Sequence, residues 1–184
     1  RAIVALSDQT YTLLYTKHTA LKIGMFALER MVQVMEMTQA GMVYADHYQQ
    51  IDGVQKTAPV IDYQPGSLRD DFNFGSVLLF NANAFKEVIE NTEEEYQYAG
   101  LYDLRLKISQ KSKLVHINEY LYTEVESDKR KSGEKQFDYV DPKNRQVQIE
   151  MEQACTNHLK EIGGYLYPIF RPVDFSSHTF EYEA

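Results

Sequence analysis

Side chains able to do chemistry gather at a few places in this chain of 184 residues. Asp46-His47 closes the apolar run MVYA and offers a carboxylate and an imidazole, groups that ligate metals or move protons. Ligand sites favour strand ends of this kind. Neighbouring strand residues point to opposite faces, so one of the pair, with Asp46 favoured, serves any one ligand. A plain strand-end turn with exposed polar groups gives the same pattern. Arg69-Asp70-Asp71 stands before Phe72-Asn73-Phe74-Gly75. Two adjacent carboxylates repel unless a cation, water or a ligand answers them. Arg69 is one answer, and a hydroxyl-bearing ligand is the other. Asp103 has the chemistry of a general base. It also precedes Lys107 by four residues, the spacing of a helix-stabilising ion pair. Lys17-His18 follows the apolar run YTLLY, and a protonated lysine cannot ligate a metal. Lys129, Arg130 and Lys135 lie in a polar stretch that suits a loop closing over a diphosphate, or a charge-balanced loop with no such role. His116, in LVHI, reads as a structural histidine before it reads as a ligand. His18, His158 and His178 form no ligand pattern.

The elements that hold these residues read as a layered α/β domain with a mixed sheet flanked by helices. Residues 1–6, 11–15, 42–48, 75–80 and 113–122 have the apolar, β-branched or aromatic character of strands. Asp52-Gly53 is a hairpin signal, and Pro59 keeps the returning strand at an edge. Pro65-Gly66 marks a turn. Met25, Leu28, Val32 and Met35 step by three and four, which predicts a helix ending near Gly41. A second helix, over 84–90, takes its cap from Asn81 or Asn83. A third spans 98–109, with Leu101, Leu104 and Ile108 on one face. Residues 123–137 read as a polar loop. Asp141-Pro142 opens a last helix with a stripe of Val147, Met151, Cys155 and Leu159, stopped by Gly163-Gly164. A proline-broken aromatic tail follows, so residues 141–184 form a C-terminal helix and tail on a single domain.

Net charge is −8, which argues against a nucleic-acid partner because that surface needs a basic footprint. The single cysteine, Cys155, permits no internal disulfide and reads as an intracellular core thiol. No stretch is long and apolar enough to span a bilayer. The chain opens on Arg1, directly in a strand, as expected for a piece of a longer protein. GxGxxG, GxxxxGK[ST] and nucleophile-elbow motifs are all absent.

As an ordered set, three stretches resemble the later half of a family 2 glycosyltransferase domain. They are YTLLYTKHTALKIGMFALERMV, MVYADHYQQIDGVQKTAPVIDYQPGSLRDDFNFGSVLLF and YAGLYDLRLKISQKSKLVHINEYLYTEVE, and together they cover about residues 10–130. The resemblance implies a truncated GT-A fold and transfer of a sugar from a nucleotide-diphosphate donor to a glycan acceptor hydroxyl. It also implies a divalent cation, Mn or Mg, that neutralises the leaving diphosphate, and a carboxylate that activates the acceptor. The metal motif falls on Tyr15-Thr16-Lys17-His18, where its acids are absent and Lys17 is the stand-in charge. The catalytic acid falls on Leu101, so Asp103 alone remains of the acidic pair. Asp46, His47, Arg69, Asp70 and Asp71 fall on the substrate side, and Lys129, Arg130 and Lys135 on the diphosphate loop. The expectation is a glycosyltransferase-like domain beside another such domain, cytoplasmic or at the inner membrane face. The alternative is a non-catalytic, sugar-binding accessory.

Overall fold

The structure, a computed structural model, describes residues 9–126 and 145–167. The expected strand at 1–6, the basic residues Lys129, Arg130 and Lys135, the Asp141-Pro142 helix start and the tail from 168 onward lie outside the described residues. Among the described residues are six strands: β1 (Tyr11–Tyr15), β2 (Ala20–Ile23), β3 (Met42–Ile51), β4 (Val54–Ala58), β5 (Val77–Asn81) and β6 (Leu114–Glu126). Four helices accompany them: α1 (Ala27–Thr38), α2 (Ala82–Glu90), α3 (Gly100–Lys111) and α4 (Arg145–Glu161). The sheet runs β1-β5-β3-β6-β2, with β4 paired to the outer half of β3. Only β3 and β6 are parallel. Their register slips at Ala45/Asp46 and Asp46/His47, so β6 carries extra residues opposite the polar end of β3. Such bulges re-aim side chains.

The apolar run of β3 is buried on both faces. Met42 and Tyr44 join Leu78, Phe80 and Leu114 beneath α2 and α3, against Phe85, Val88, Leu104 and Ile108. Val43 and Ala45 join Val77, Leu79, Ile117 and Tyr122 beneath α1, against Met31 and Met35. The outer helix α4 reaches α3 through Ala154, which packs with Ala99, Tyr102 and Leu106. Glu150 caps the start of α3 by accepting from the Tyr98 and Ala99 amides, at 2.7 and 3.2 Å. Those amide bonds, Tyr98's foremost, hold its carboxyl below the usual range.

Local signals held where backbone chemistry sets them. Asp52 and Gly53 both take positive φ, 50° and 81°, as a two-residue hairpin requires. Asn81 caps α2 through the Asn83 and Ala84 amides, a contact worth about 1 kcal/mol. Three elements, α1, β6 and α4, differ in detail from the sequence reading. α1 begins only at Ala27, because Phe26 is left-handed at φ 58°. Its buried face is Ala27, Met31 and Met35, and Met25 is left in solvent. The left-handed residue at its end is Gln39 rather than Gly41. Gly41 instead permits close packing, since a Cβ there would meet Ser112 Cβ at 2.6 Å. β6 continues through Thr123–Glu126, which the charge content had assigned to a loop. On α4 the buried positions are Glu150, Ala154 and His158, with Met151 and Cys155 half-buried beside them.

Candidate functional site

Between β4 and β5 a long strap, residues 59–76, crosses the α2/α3 face of the sheet. Near its start, the Val60 amide donates to Asp46 Oδ1 at 2.8 Å and Tyr44 Oη donates to the Ile61 carbonyl at 2.8 Å. Further on, three successive carbonyls turn toward α3. Arg105 donates to Ser67 O and Arg69 O, at 3.1 and 2.6 Å, and Tyr102 Oη donates to Leu68 O at 2.5 Å. The Arg105 guanidinium is buried and lies over the Tyr102, Phe74 and Tyr63 rings, 4.8, 5.6 and 5.9 Å from their centroids. Carbonyl oxygens and ring faces are both electronegative, so the cation is satisfied without a carboxylate partner.

Strap, α3 and β1 end enclose a cleft of about 300 Å³, within the range of small-ligand sites. The strap supplies Asp70, Phe72, Asn73 and Phe74, and α3 supplies Leu101, Tyr102 and Arg105. Thr16 and Met151 add to the walls, and Met42 and Leu78 of the sheet line the cleft as well. Phe72 and Phe74 pack at 4.4 Å between centroids. Asp70 is exposed and accepts no hydrogen bond from the described residues. Its neighbours Arg69 and Asp71 satisfy each other in a two-bond fork, 2.9 Å on each arm. That answers the carboxylate repulsion and leaves Asp70 as the acid that faces the cleft. A larger hollow, about 450 Å³, lies near Tyr11, Glu36 and Asn81, but its acid is bonded to Tyr11 Oη at 2.6 Å.

Asp46 and His47 take opposite faces, as alternation predicts. Asp46 is buried on the strap side, where Oδ1 is 2.9 Å from His116 Nε2. His47 is buried on the α1 side, stacked on Tyr122 at 5.0 Å, with Nε2 3.4 Å from Glu124 Oε1. His47 Nδ1 has no hydrogen-bond partner among the described residues. Lys17 reaches the same cluster through an ion pair with Glu124, which is 1% exposed. Burial pushes the Glu124 carboxyl up, and the Lys17 ammonium reverses this and holds it below the ordinary range. The structure thus joins Lys17 and His47 through Glu124, a residue the sequence reading passed over. Its signal was alternation: Tyr122 and Glu124 share one face of a strand that was cut short at residue 122. The residues at this strand end do not fit a divalent cation. Lys17 is an ammonium already paired, and no three His, Cys, Asp or Glu side chains converge on a metal position among the described residues.

Asp103 stands apart from the cleft. Its Oδ2 is 2.9 Å from Lys107 Nζ, and it lines a separate hollow of about 290 Å³ with Glu94 and Tyr96. Burial raises its pKa, with Lys107 opposing. Arg105 was also missed, although a charge between Leu104 and Leu106 on a buried helix face is itself a signal.

Burial lowers the pKa of both His47 and His158. Each is therefore neutral when folded at pH values where the unfolded chain, titrating near the ordinary value of about 6.5, takes up a proton. Their contribution is complete above that pH and is lost as pH falls through it. Thermal melts at pH 7.5 and 5.5 are expected to show a lower Tm at 5.5, and His47→Gln to reduce the difference. An equal difference in the variant would remove His47 from this behaviour.

No protein-family model matches this chain, and no curated protein matches it in sequence. No helix among the described residues is long and apolar enough to cross a membrane.

Proposed function

We propose that this is a glycosyltransferase-like domain whose cleft takes a glycosyl group. Its reaction class is transfer of a sugar from a nucleotide-diphosphate donor to a glycan acceptor hydroxyl, in polysaccharide or glycoconjugate synthesis. The observation that carries the reading is the cleft lining. Aromatic residues Phe72, Phe74 and Tyr102 supply flat apolar surface, and Asp70 and Asn73 supply polar groups at its edge. A sugar ring needs both, because its C–H face is apolar and its rim is hydroxyl. Asp70 is the cleft carboxylate able to accept a hydroxyl proton. The setting we propose is a cytoplasmic one, beside a neighbouring transferase domain.

A second reading, sugar binding without transfer, draws support from Leu101. The resemblance places the catalytic acid at this position, and it forms a hydrocarbon part of the cleft wall. Calorimetric titration separates the two. Uridine and guanosine diphosphate sugars are titrated with and without Mn²⁺, and a sugar polymer alongside. Donor binding with turnover supports transfer, and polymer binding alone supports the accessory role. In either case Asp70→Asn and Phe72→Ala are each expected to weaken glycan binding about tenfold. Glycan affinity unchanged in both variants would remove the cleft from the function.

A further inference from the structure

His116 sits where the strap leaves the sheet. Its Nε2 is 2.9 Å from Asp46 Oδ1, and its Nδ1 is 2.8 Å from Asp62 Oδ1. The ring stacks on Tyr44 at 5.2 Å, and its side chain is 6% exposed. The two carboxylates differ sharply in setting: the Asp46 side chain is 2% exposed and that of Asp62 is 90% exposed. Neither has a lysine or arginine partner among the described residues. The groups around the ring are therefore Asp46 and Tyr44 of β3 and Asp62 of the strap, with Tyr63 following in the strap and acting on Tyr44.

Carboxylates accept and do not donate, so satisfying both takes an N–H on each ring nitrogen. A neutral imidazole has only one. Asp46 claims it: its buried carboxylate has the Val60 amide as its other donor, and a buried carboxylate short of donors costs far more than one that can turn to water. We propose that His116 is a proton-operated clasp. Charged, it ties the strap through Asp62 to the sheet; neutral, it keeps Asp46 and releases Asp62, leaving the Nδ1 lone pair facing a carboxylate. The strap carries Asp70, Phe72 and Phe74 into the cleft, so the clasp loosens the cleft wall when the ring gives up its second proton. That coupling to glycan binding rests on the reading of the cleft given above; the clasp itself does not.

The test is a pH series from 5 to 9 on the whole chain, following the His116 ring nitrogens and the Ile61–Gln64 amides by NMR. In the wild-type protein the strap amides are expected to shift with the His116 midpoint, and Val60 amide exchange, corrected for its intrinsic pH dependence, to quicken about threefold on the alkaline side. Asp62→Asn keeps an acceptor for the charged ring and adds a donor for the neutral one, so its strap is expected to stay still through the same titration. Strap amides that ignore the His116 midpoint would overturn the clasp. So would an Asp62→Asn strap that moves as the wild type does, or a His116 that does not titrate in this range. Glycan affinity is expected to fall about threefold with the same midpoint. A moving strap with constant affinity would leave the clasp standing and sink its link to the cleft.

Discussion

Lys17→Met is expected to cost about 3 kcal/mol of stability, a drop in Tm of about 6–12 °C for a chain of this size. The Lys17 ammonium pairs with Glu124, which is 1% exposed. Without it, the carboxylate is left beside His47 Nε2 at 3.4 Å, on a ring whose pKa burial already lowers, and beside the neutral Ser76 hydroxyl. Glu124 then either stays charged and poorly answered or takes up a proton, and its normally depressed pKa rises. The destabilisation should therefore shrink as pH falls below the carboxylate range, where the lowered folded pKa no longer contributes stability in the wild type. Replacing both partners, as Lys17→Met with Glu124→Leu, removes the buried charge together with its cation. The double variant is expected to be more stable than the sum of the two single losses implies, because most of the cost lies in leaving one charge unmatched. Chemical denaturation of the four proteins at pH 7 measures the coupling. Strict additivity would mean that the ion pair carries no weight.

A comparable loss, about 3 kcal/mol, is expected for Gly75→Ala. Gly75 has φ +73°, and a Cβ there would stand 2.3 Å from Tyr122 Oη. Left-handed backbone alone costs a non-glycine residue about 1–2 kcal/mol. The remainder comes from the tyrosine, which has little freedom to retreat. Tyr122 is 2% exposed, its ring stacks on His47, and its oxygen accepts from the Ser76 and Val77 amides at 2.9 and 3.4 Å. Moving the oxygen strips acceptors from amides at the start of β5. Tyr122→Phe in the Gly75→Ala background removes the clashing atom, so the pair should lose less than the two single changes added. It should still fall short of wild type, since the Ser76 amide then lacks its acceptor. A Gly75→Ala protein that melts with the wild type would show that the strap end is free to relax.

What could be read before folding was whatever neighbours in the chain settle among themselves. Asp52-Gly53 announced a hairpin because few residues accept two successive positive φ angles. Asn81 and Asn83 announced a helix start because a short side-chain acceptor reaches the next free amides, and the structure gives the cap to Asn81. The runs at 42–48 and 75–80 announced strands of an α/β domain, and alternation put Asp46 and His47 on opposite faces. Tertiary structure decided the rest. The order β1-β5-β3-β6-β2 brings Glu124 to Lys17, 107 residues away, and His116 to Asp46 and Asp62, 70 and 54 away. It also folds the strap so that Arg69 and Asp71 satisfy each other while Asp70 meets the cleft. Turn and cap preferences arise from torsions and hydrogen bonds within a few residues, so composition reveals them. Which charge meets which across a sheet follows from strand order and register, and these are set by the packing of both apolar faces at once.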